Sequence, residues 1–131
     1  MNSNQLRTTE NDVKRVGMVI RLRPECMEQY LELHAKSNPG VRDLLAKYHL
    51  TNFSIFLHKI GSDWYEFGYY EYTGIDYETD LKALANDPRN QEWMEVCDPL
   101  QLPLPGELGW AIMKQVYFNG FDTNVNKSEI Q

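Results

Sequence analysis

Two neighbouring runs of β-branched and aromatic residues constrain the fold of this chain more than any other feature. They cover Leu50–His58 and Trp64–Tyr72, and a short loop that contains Gly61 separates them. Runs of this composition on either side of a short turn predict a β-hairpin. The rest of the chain must therefore be arranged around a sheet that contains these two strands.

Both faces of the predicted hairpin carry apolar side chains. In the first run, alternation puts Phe53 and Ile55 on one face and Phe56 on the other. A sheet with apolar groups on both sides must be covered on both sides. Helices can cover one face, so the other requires a partner subunit, a ligand pocket or both. The second run alternates between two sets of rings: Tyr65, Phe67 and Tyr69 on one side, and Trp64, Tyr70 and Tyr72 on the other.

Segments before the hairpin predict one strand and one broken helix. The apolar run Val13–Leu22 favours a strand, and Pro24 then suits the first turn of a helix, where its missing N–H breaks no hydrogen bond. The sequence Ser-Asn-Pro-Gly at 37–40 predicts a break, because the residue before proline avoids helical geometry. The helix is expected to resume after the break and to run toward Tyr48.

Segments after the hairpin predict a second broken helix and a last strand. Helical pattern extends from Asp76 to Asp98, with an interruption at 86–88, where Asn-Asp-Pro restarts the helix. Three prolines at 99–105 predict irregular structure over 98–106, and Trp110–Phe118 is typical of a strand. The order β-α-β-β-α-β predicts an α+β, ferredoxin-like fold, whose uncovered sheet face we expect to be buried by dimerisation in a dimeric α+β barrel.

Length and charge exclude several classes of protein. The 131 residues predict one domain over 13–121, between flexible tails at 1–12 and 122–131. A formal charge of −6 argues against a nucleic-acid partner. The N-terminal residues show no secretory signal, and no apolar run is long enough to span a bilayer, so we expect a cytoplasmic protein without a membrane partner. Cys26 and Cys97 have no metal-ligand spacing and are interpreted as packing residues.

The best clue to function is a tyrosine and a histidine on the first predicted helix. Tyr30 and His34 are four residues apart, a spacing that points both side chains the same way. With Trp93 and the tyrosine-rich strand, they form a plausible set for proton transfer on a small hydroxylated ligand. The same spacing also fits simple helix–sheet packing, so the residues alone leave both interpretations open.

Several short motifs, taken in order, resemble the L-rhamnose mutarotase family over about residues 13–119. Each motif is weak alone, but their order and spacing together are specific. They are the run from Arg21 to His34, NFSIFL at 52–57, FGYYEYTG followed by aspartates at 67–80, DP-x-x-Q-x-W at 87–93, CDP-x-Q-x-PLPG at 97–106, and the ending QVYF at 115–118.

The resemblance implies a dimeric ferredoxin-like fold and an isomerase that interconverts the α and β anomers of a deoxyhexose such as L-rhamnose. It implies no metal and no organic cofactor, with a monosaccharide as the small-molecule partner. The family's catalytic histidine falls on His34, and a substrate-binding tyrosine falls on Tyr30. The resemblance thus implies a role in carbohydrate metabolism, and in rhamnose metabolism in particular.

The residues at 38, 40, 53 and 94 depart from the family pattern, whereas Trp93 keeps it. A second substrate-contacting tyrosine falls on Phe53, and a pair of tryptophans falls on Trp93 and Met94, which we expect to bind substrate in their place. The family motif W-P-E reads Asn-Pro-Gly at 38–40. The departures alter the expected pocket wall and leave the proposed proton-transfer pair in place.

Two other functions remain open at this point. The loss of one tyrosine and one tryptophan favours a non-catalytic sugar-binding module. The same architecture also supports small monooxygenases, since a fold alone does not define a function. Anomer exchange measured by NMR separates a mutarotase from a binder, and a haem absorption band would indicate the oxidoreductase.

Overall fold

The computed structural model describes residues 13–120 of the chain. The tails predicted at 1–12 and 122–131 lie outside the described residues. Within 13–120 the chain contains one sheet and four α-helices.

The sheet is built on its first strand. Strand β1 (Lys14–Leu22) pairs along its whole length with β3 (Asp63–Tyr72), which pairs on its other edge with β2 (Leu50–Ile60). Every pairing is antiparallel, and the spatial order is β2-β3-β1 followed by the last strand segments. This is the ferredoxin-like order, so the predicted fold class and the predicted hairpin are confirmed.

The last strand of the predicted fold is split into two short pieces. Strand β4 (Gln101–Leu102) pairs with the end of β1, and β5 (Ala111–Met113) pairs with its middle. The predicted strand over 110–118 was therefore too long, and the segment 98–106 is not wholly irregular as expected. The prolines at 103 and 105 explain the gap, because they cannot donate to a ladder.

The helices follow the predicted breaks. A 3₁₀ turn (Pro24–Cys26) leads into α1 (Met27–Leu33), and α2 (Arg42–Lys47) follows the predicted interruption. Helices α3 (Tyr77–Asn86) and α4 (Pro88–Cys97) are separated at the expected proline. The carboxylates of the two residues that precede α3 and α4 accept backbone N–H bonds and so cap these helices.

The register of the sheet assigns its two faces as the alternation predicts. On one face Val16, Met18 and Tyr70 pack with helical side chains in the main hydrophobic core. On the opposite face, which we call the open face, Phe56 is 65% exposed. Among the described residues, no helix covers the open face.

A glycine makes room on the helix-facing side for the side chains below the candidate site. A Cβ atom on Gly68 would lie 2.9 Å from the Cε of Met18 and 3.2 Å from the ring of Trp110. Because real Cβ contacts are longer than this, a larger residue would displace the thioether or the indole ring. Gly68 therefore allows Met18 and Trp110 to lie directly against the sheet.

Candidate active site

A large cavity lies between the helix-facing side of the sheet and the helices. Its volume is about 1030 Å³, at the upper end of the range typical for small-molecule sites. Apolar and aromatic side chains form most of its wall. All five residues predicted from the sequence as catalytic or substrate-binding line it: Tyr30, His34, Phe53, Trp93 and Met94.

The imidazole of His34 is fixed by three contacts. His34 is the residue after the end of α1, and its Nδ1 lies 2.9 Å from the carbonyl oxygen of Tyr30. The ring stacks on the Tyr30 ring at 4.1 Å between centroids and meets the Trp93 indole edge-on at 5.4 Å. Because a carbonyl only accepts, Nδ1 carries a proton and donates it. The other nitrogen, Nε2, is therefore the one left to exchange a proton with a ligand.

The surroundings of His34 favour its neutral form. Burial lowers the pKa of the imidazole, and the nearby charge of Arg42 lowers it further, while the bond to the Tyr30 carbonyl acts in the opposite direction. The net effect is a pKa below the ordinary value of 6.5. At neutral pH, His34 is thus an uncharged base.

Arg42 is a residue of the site that the sequence analysis missed. Its guanidinium donates to the carbonyls of His34 at 3.1 Å, Ala35 at 3.0 Å and Asn38 at 2.5 Å. These bonds tie α2 to the segment that follows α1 and carries the imidazole. Among the described residues that line the cavity, Arg42 is the only Lys, Arg, Asp or Glu.

Aromatic rings and a glycine form other parts of the cavity wall. The ring of Phe53 stacks on Tyr70 with 5.2 Å between centroids and 18° between planes. Gly40 has a positive φ of 54°, and a Cβ there would lie 3.2 Å from the Trp93 ring. The indole of Trp93 is therefore packed against the bare backbone of Gly40.

Tyr30 presents its ring to the cavity and buries its hydroxyl. The residue is 2% exposed, and among the described residues its hydroxyl oxygen has no hydrogen-bond partner. Burial raises the pKa of this phenol, and the nearby Glu66 carboxyl raises it further. A ligand would therefore meet the Tyr30 ring rather than its hydroxyl.

Glu66, the second residue that the sequence analysis missed, lies beneath Tyr30. Its side chain is 0% exposed, and its Oε1 accepts a 2.9 Å bond from Gln101 Nε2. Burial raises the pKa of this carboxyl to about 7, although Tyr30 and Gln101 partly offset the effect. Side chains alternate along β3, and Glu66 shares the helix-facing side with Trp64 and Gly68. This alternation was the signal that could have revealed a buried carboxyl.

The part of the chain that the structure describes shows no grouping of three or more His, Cys, Asp or Glu side chains suited to a metal ion. Cys26 and Cys97 are both free thiols. Burial raises the pKa of Cys97 to about 11, so this thiol is protonated at neutral pH. None of the helices within 13–120 is both long enough and apolar enough to cross a membrane.

Comparison with known proteins gives two sequence matches. The family model of L-rhamnose mutarotase matches residues 15–118 of this chain. The chain is also similar to an L-rhamnose mutarotase of Lactiplantibacillus plantarum (strain ATCC BAA-793 / NCIMB 8826 / WCFS1). That protein is 31% identical over 86 residues, which cover 66% of this chain and 78% of the relative.

Comparison with solved structures supports the architecture. The chain is similar in fold to a NIPSNAP family protein from Agrobacterium tumefaciens str. C58, with a TM-score of 0.56 and 20% identity. The match covers 82% of this chain and 90% of the other. At this level of identity the similarity concerns the fold alone, and it agrees with the α+β topology described above.

Glu66→Gln should change how stability depends on pH. The carboxyl titrates near 7 when folded and near 4.5 when unfolded, so the unfolded chain releases its proton first as the pH rises. Stability from this group is therefore lost between about pH 4.5 and pH 7, by about 3 kcal/mol. In urea unfolding, the free energy of unfolding of Glu66→Gln relative to that of the wild type should therefore rise by this amount between pH 4.5 and pH 8. An equal difference between the two proteins at both pH values would contradict this.

Arg42→Met should raise the pKa of His34 toward 6.5, because it removes the positive charge that disfavours the imidazolium. The pKa is read from the imidazole carbon-bound proton signals during an NMR titration. Arg42→Lys, which keeps the charge, should leave the pKa close to that of the wild type. Arg89→Met removes a surface arginine that pairs with Asp43 and is the matched control. An unchanged His34 pKa in Arg42→Met would show that burial alone accounts for the shift.

Proposed function

The chain belongs to the L-rhamnose mutarotase family, and we propose that it interconverts the α and β anomers of L-rhamnose or a related deoxyhexose by general acid–base catalysis. One observation carries the proposal. A neutral imidazole with one free ring nitrogen is held at the wall of a large cavity built mainly from apolar and aromatic side chains. Such a site can both move a proton and hold a small sugar.

Anomerisation needs only proton transfers. Nε2 of His34 takes the proton of the anomeric hydroxyl while the bond between C1 and the ring oxygen breaks, and water gives a proton to the ring oxygen. Rotation about C1–C2 exposes the other face of the aldehyde. The ring oxygen then adds back, loses its proton to water, and the new anomeric oxygen recovers its proton from His34. Positioned groups of this kind contribute about 10²–10⁴-fold.

The reaction as proposed uses no cofactor, because every step conserves electrons and the same protons are taken and returned. The pKa of His34, which lies below 6.5, keeps the imidazole available as a base at neutral pH. At neutral pH the lowered pKa leaves the imidazole unprotonated, which is the state that a general base requires.

The cavity wall supports a sugar with an apolar edge. The C–H groups of a pyranose pack well against aromatic rings, and two such rings line the cavity: Trp93, which contacts His34, and Phe53. Met94 adds a flexible apolar contact. A deoxyhexose, in which a methyl group replaces a hydroxymethyl, suits such a wall. We therefore propose that Tyr30, Phe53, Trp93 and Met94 contact the substrate.

We further propose that the protein works as a homodimer whose subunits meet at the open face. The support is an apolar surface: Phe56 is 65% exposed there, and the rings of Tyr65, Phe67 and Tyr69 lie on the same side of the sheet. Contiguous exposed apolar surface of this kind marks an interaction site. The helices already cover the other face, so a second copy would complete the burial that the sheet requires.

His34→Ala should reduce anomer exchange by at least about 100-fold, because it removes the proposed base. Exchange between the anomeric C–H signals is measured by NMR on a panel of aldoses, with L-rhamnose and fucose first. His49→Asn is the matched control, because His49 lies outside the cavity and has a φ of 68°, which asparagine tolerates.

Three outcomes would contradict the proposed function. Full exchange in His34→Ala would remove this residue from the mechanism. A wild-type protein that shows saturation transfer to a sugar without faster exchange would be a sugar-binding module. A wild-type protein that neither binds any aldose of the panel nor speeds its anomer exchange would exclude both the mutarotase and the sugar-binding module.

Phe56→Glu should convert the proposed dimer into a monomer, because it places a charge in an apolar interface. Analytical ultracentrifugation distinguishes a 15.4 kDa chain from a particle of twice that mass. Ile75→Glu is the control, since Ile75 is 72% exposed in the loop before α3, outside the strands that form the open face. A wild-type protein that sediments as a monomer at micromolar concentration would refute the dimer.

A further inference from the structure

We propose that Glu66 and Gln101 are positioning residues for the reaction, an inference that rests on the proposed function. They hold the phenol of Tyr30 from below, and Tyr30 in turn sets the orientation of the His34 imidazole. Neither Glu66 nor Gln101 is assigned a part in the acid–base step itself.

Glu66 occupies a place in the core that is unfavourable for a carboxyl. It lies at the centre of the sheet, paired with Ile20 on one side and Leu57 on the other, and its side chain is 0% exposed. A carboxyl in such a place loses its hydration, which destabilises the fold unless other groups replace the water. An apolar residue would fill the same space without that cost.

Three side chains from three different elements face this carboxyl. Gln101 of β4 donates to Oε1, Tyr30 approaches from α1, and Cys97 approaches from α4. Two buried oxygens, Glu66 Oε2 and the Tyr30 hydroxyl, have no hydrogen-bond partner among the described residues. Tyr30 and Glu66 nevertheless influence each other's pKa as neighbours do. A small adjustment that brings these two oxygens into a bond satisfies both groups at once.

Tyr30 connects this buried cluster to the imidazole. It contacts His34 twice, because its ring lies under the imidazole at 4.1 Å and its carbonyl binds Nδ1 at 2.9 Å. A Tyr30 ring that tilts or slides would therefore move the proton-transferring nitrogen. Catalytic groups must be held close to the productive geometry, and a shift of about 1 Å can lower the rate about 100-fold.

Ordinary packing does not explain this choice of residues. Gln101 is also buried, so two of the three buried polar or charged side chains among the described residues, one from β3 and one from β4, are hydrogen-bonded to each other; the third is Asn90. Sequences depart from local packing rules mainly at functional sites. Here the departure lies directly beneath the one side chain that contacts the imidazole through both ring and backbone.

The test compares Glu66→Met with Glu66→Gln in the anomer-exchange assay. Methionine matches the shape of glutamate but cannot bind the phenol, so kcat should fall roughly 10- to 100-fold while KM changes little. Glutamine can still accept from Gln101 and can donate to the Tyr30 oxygen, so it should restore kcat to within about threefold of the wild type. Val16→Ala is the control for lost stability, because Val16 is a core residue outside the cavity wall.

A second readout does not depend on activity. The ¹⁵N chemical shifts of the His34 ring report its tautomer and its bond to the Tyr30 carbonyl. They should move in Glu66→Met and keep their wild-type values in Glu66→Gln and Val16→Ala. If Glu66→Met does not fold, Gln101→Met removes the same support from the other side and should give the same changes.

The proposal is overturned if Glu66→Met, or Gln101→Met in its place, keeps the wild-type kcat and the wild-type His34 shifts. It is also overturned if Glu66→Gln loses as much activity as Glu66→Met. A wild-type protein without anomer exchange would instead refute the proposed function. In that case the ¹⁵N shifts of the same variants still decide whether Glu66 positions the imidazole.

Discussion

The pairing of β1 with β3 is the constraint on which the rest of the structure depends. It runs without a break from Lys14↔Tyr72 to Leu22↔Trp64, so one register decides which side chains of both strands face the helices. A slip of one residue would turn Glu66 and Tyr70 toward the open face and would bring Phe67 into the core. The cavity floor, the buried carboxyl and the apolar open face are therefore consequences of a single alignment.

Features that depend on local periodicity were largely predictable from the sequence. Alternation was enough to identify the two faces of the hairpin, and the four-residue spacing was enough to place Tyr30 and His34 side by side. The length of the last strand was not predictable, because it depends on whether residues 101–113 can reach β1, and the intervening prolines interrupt that contact. Local pattern contains no information on such a long-range pairing.

Arg42 and Glu66 escaped prediction for different reasons. The part played by Arg42 depends on the chain reversal between α1 and α2, which brings its guanidinium onto carbonyls four to eight residues earlier. The alternation of side chains along β3 indicates that Glu66 faces the core, but the importance of Glu66 depends on Gln101, which is 35 residues away in the sequence. Both residues act through contacts that exist only in the folded chain.

The two titratable groups around Tyr30 are shifted in opposite directions by the same cause. Burial raises the pKa of the Glu66 carboxyl to about 7 and lowers the pKa of the His34 imidazole below 6.5. The imidazole is therefore mainly neutral and available as a base at neutral pH, and below about pH 7 the carboxyl is mainly protonated and can donate a hydrogen bond. Arg42 is then the main charge at the cavity wall, and it opposes a second positive charge on His34. The low polarity that would bind the apolar edge of a sugar thus also keeps His34 in the neutral form that the proposed chemistry needs.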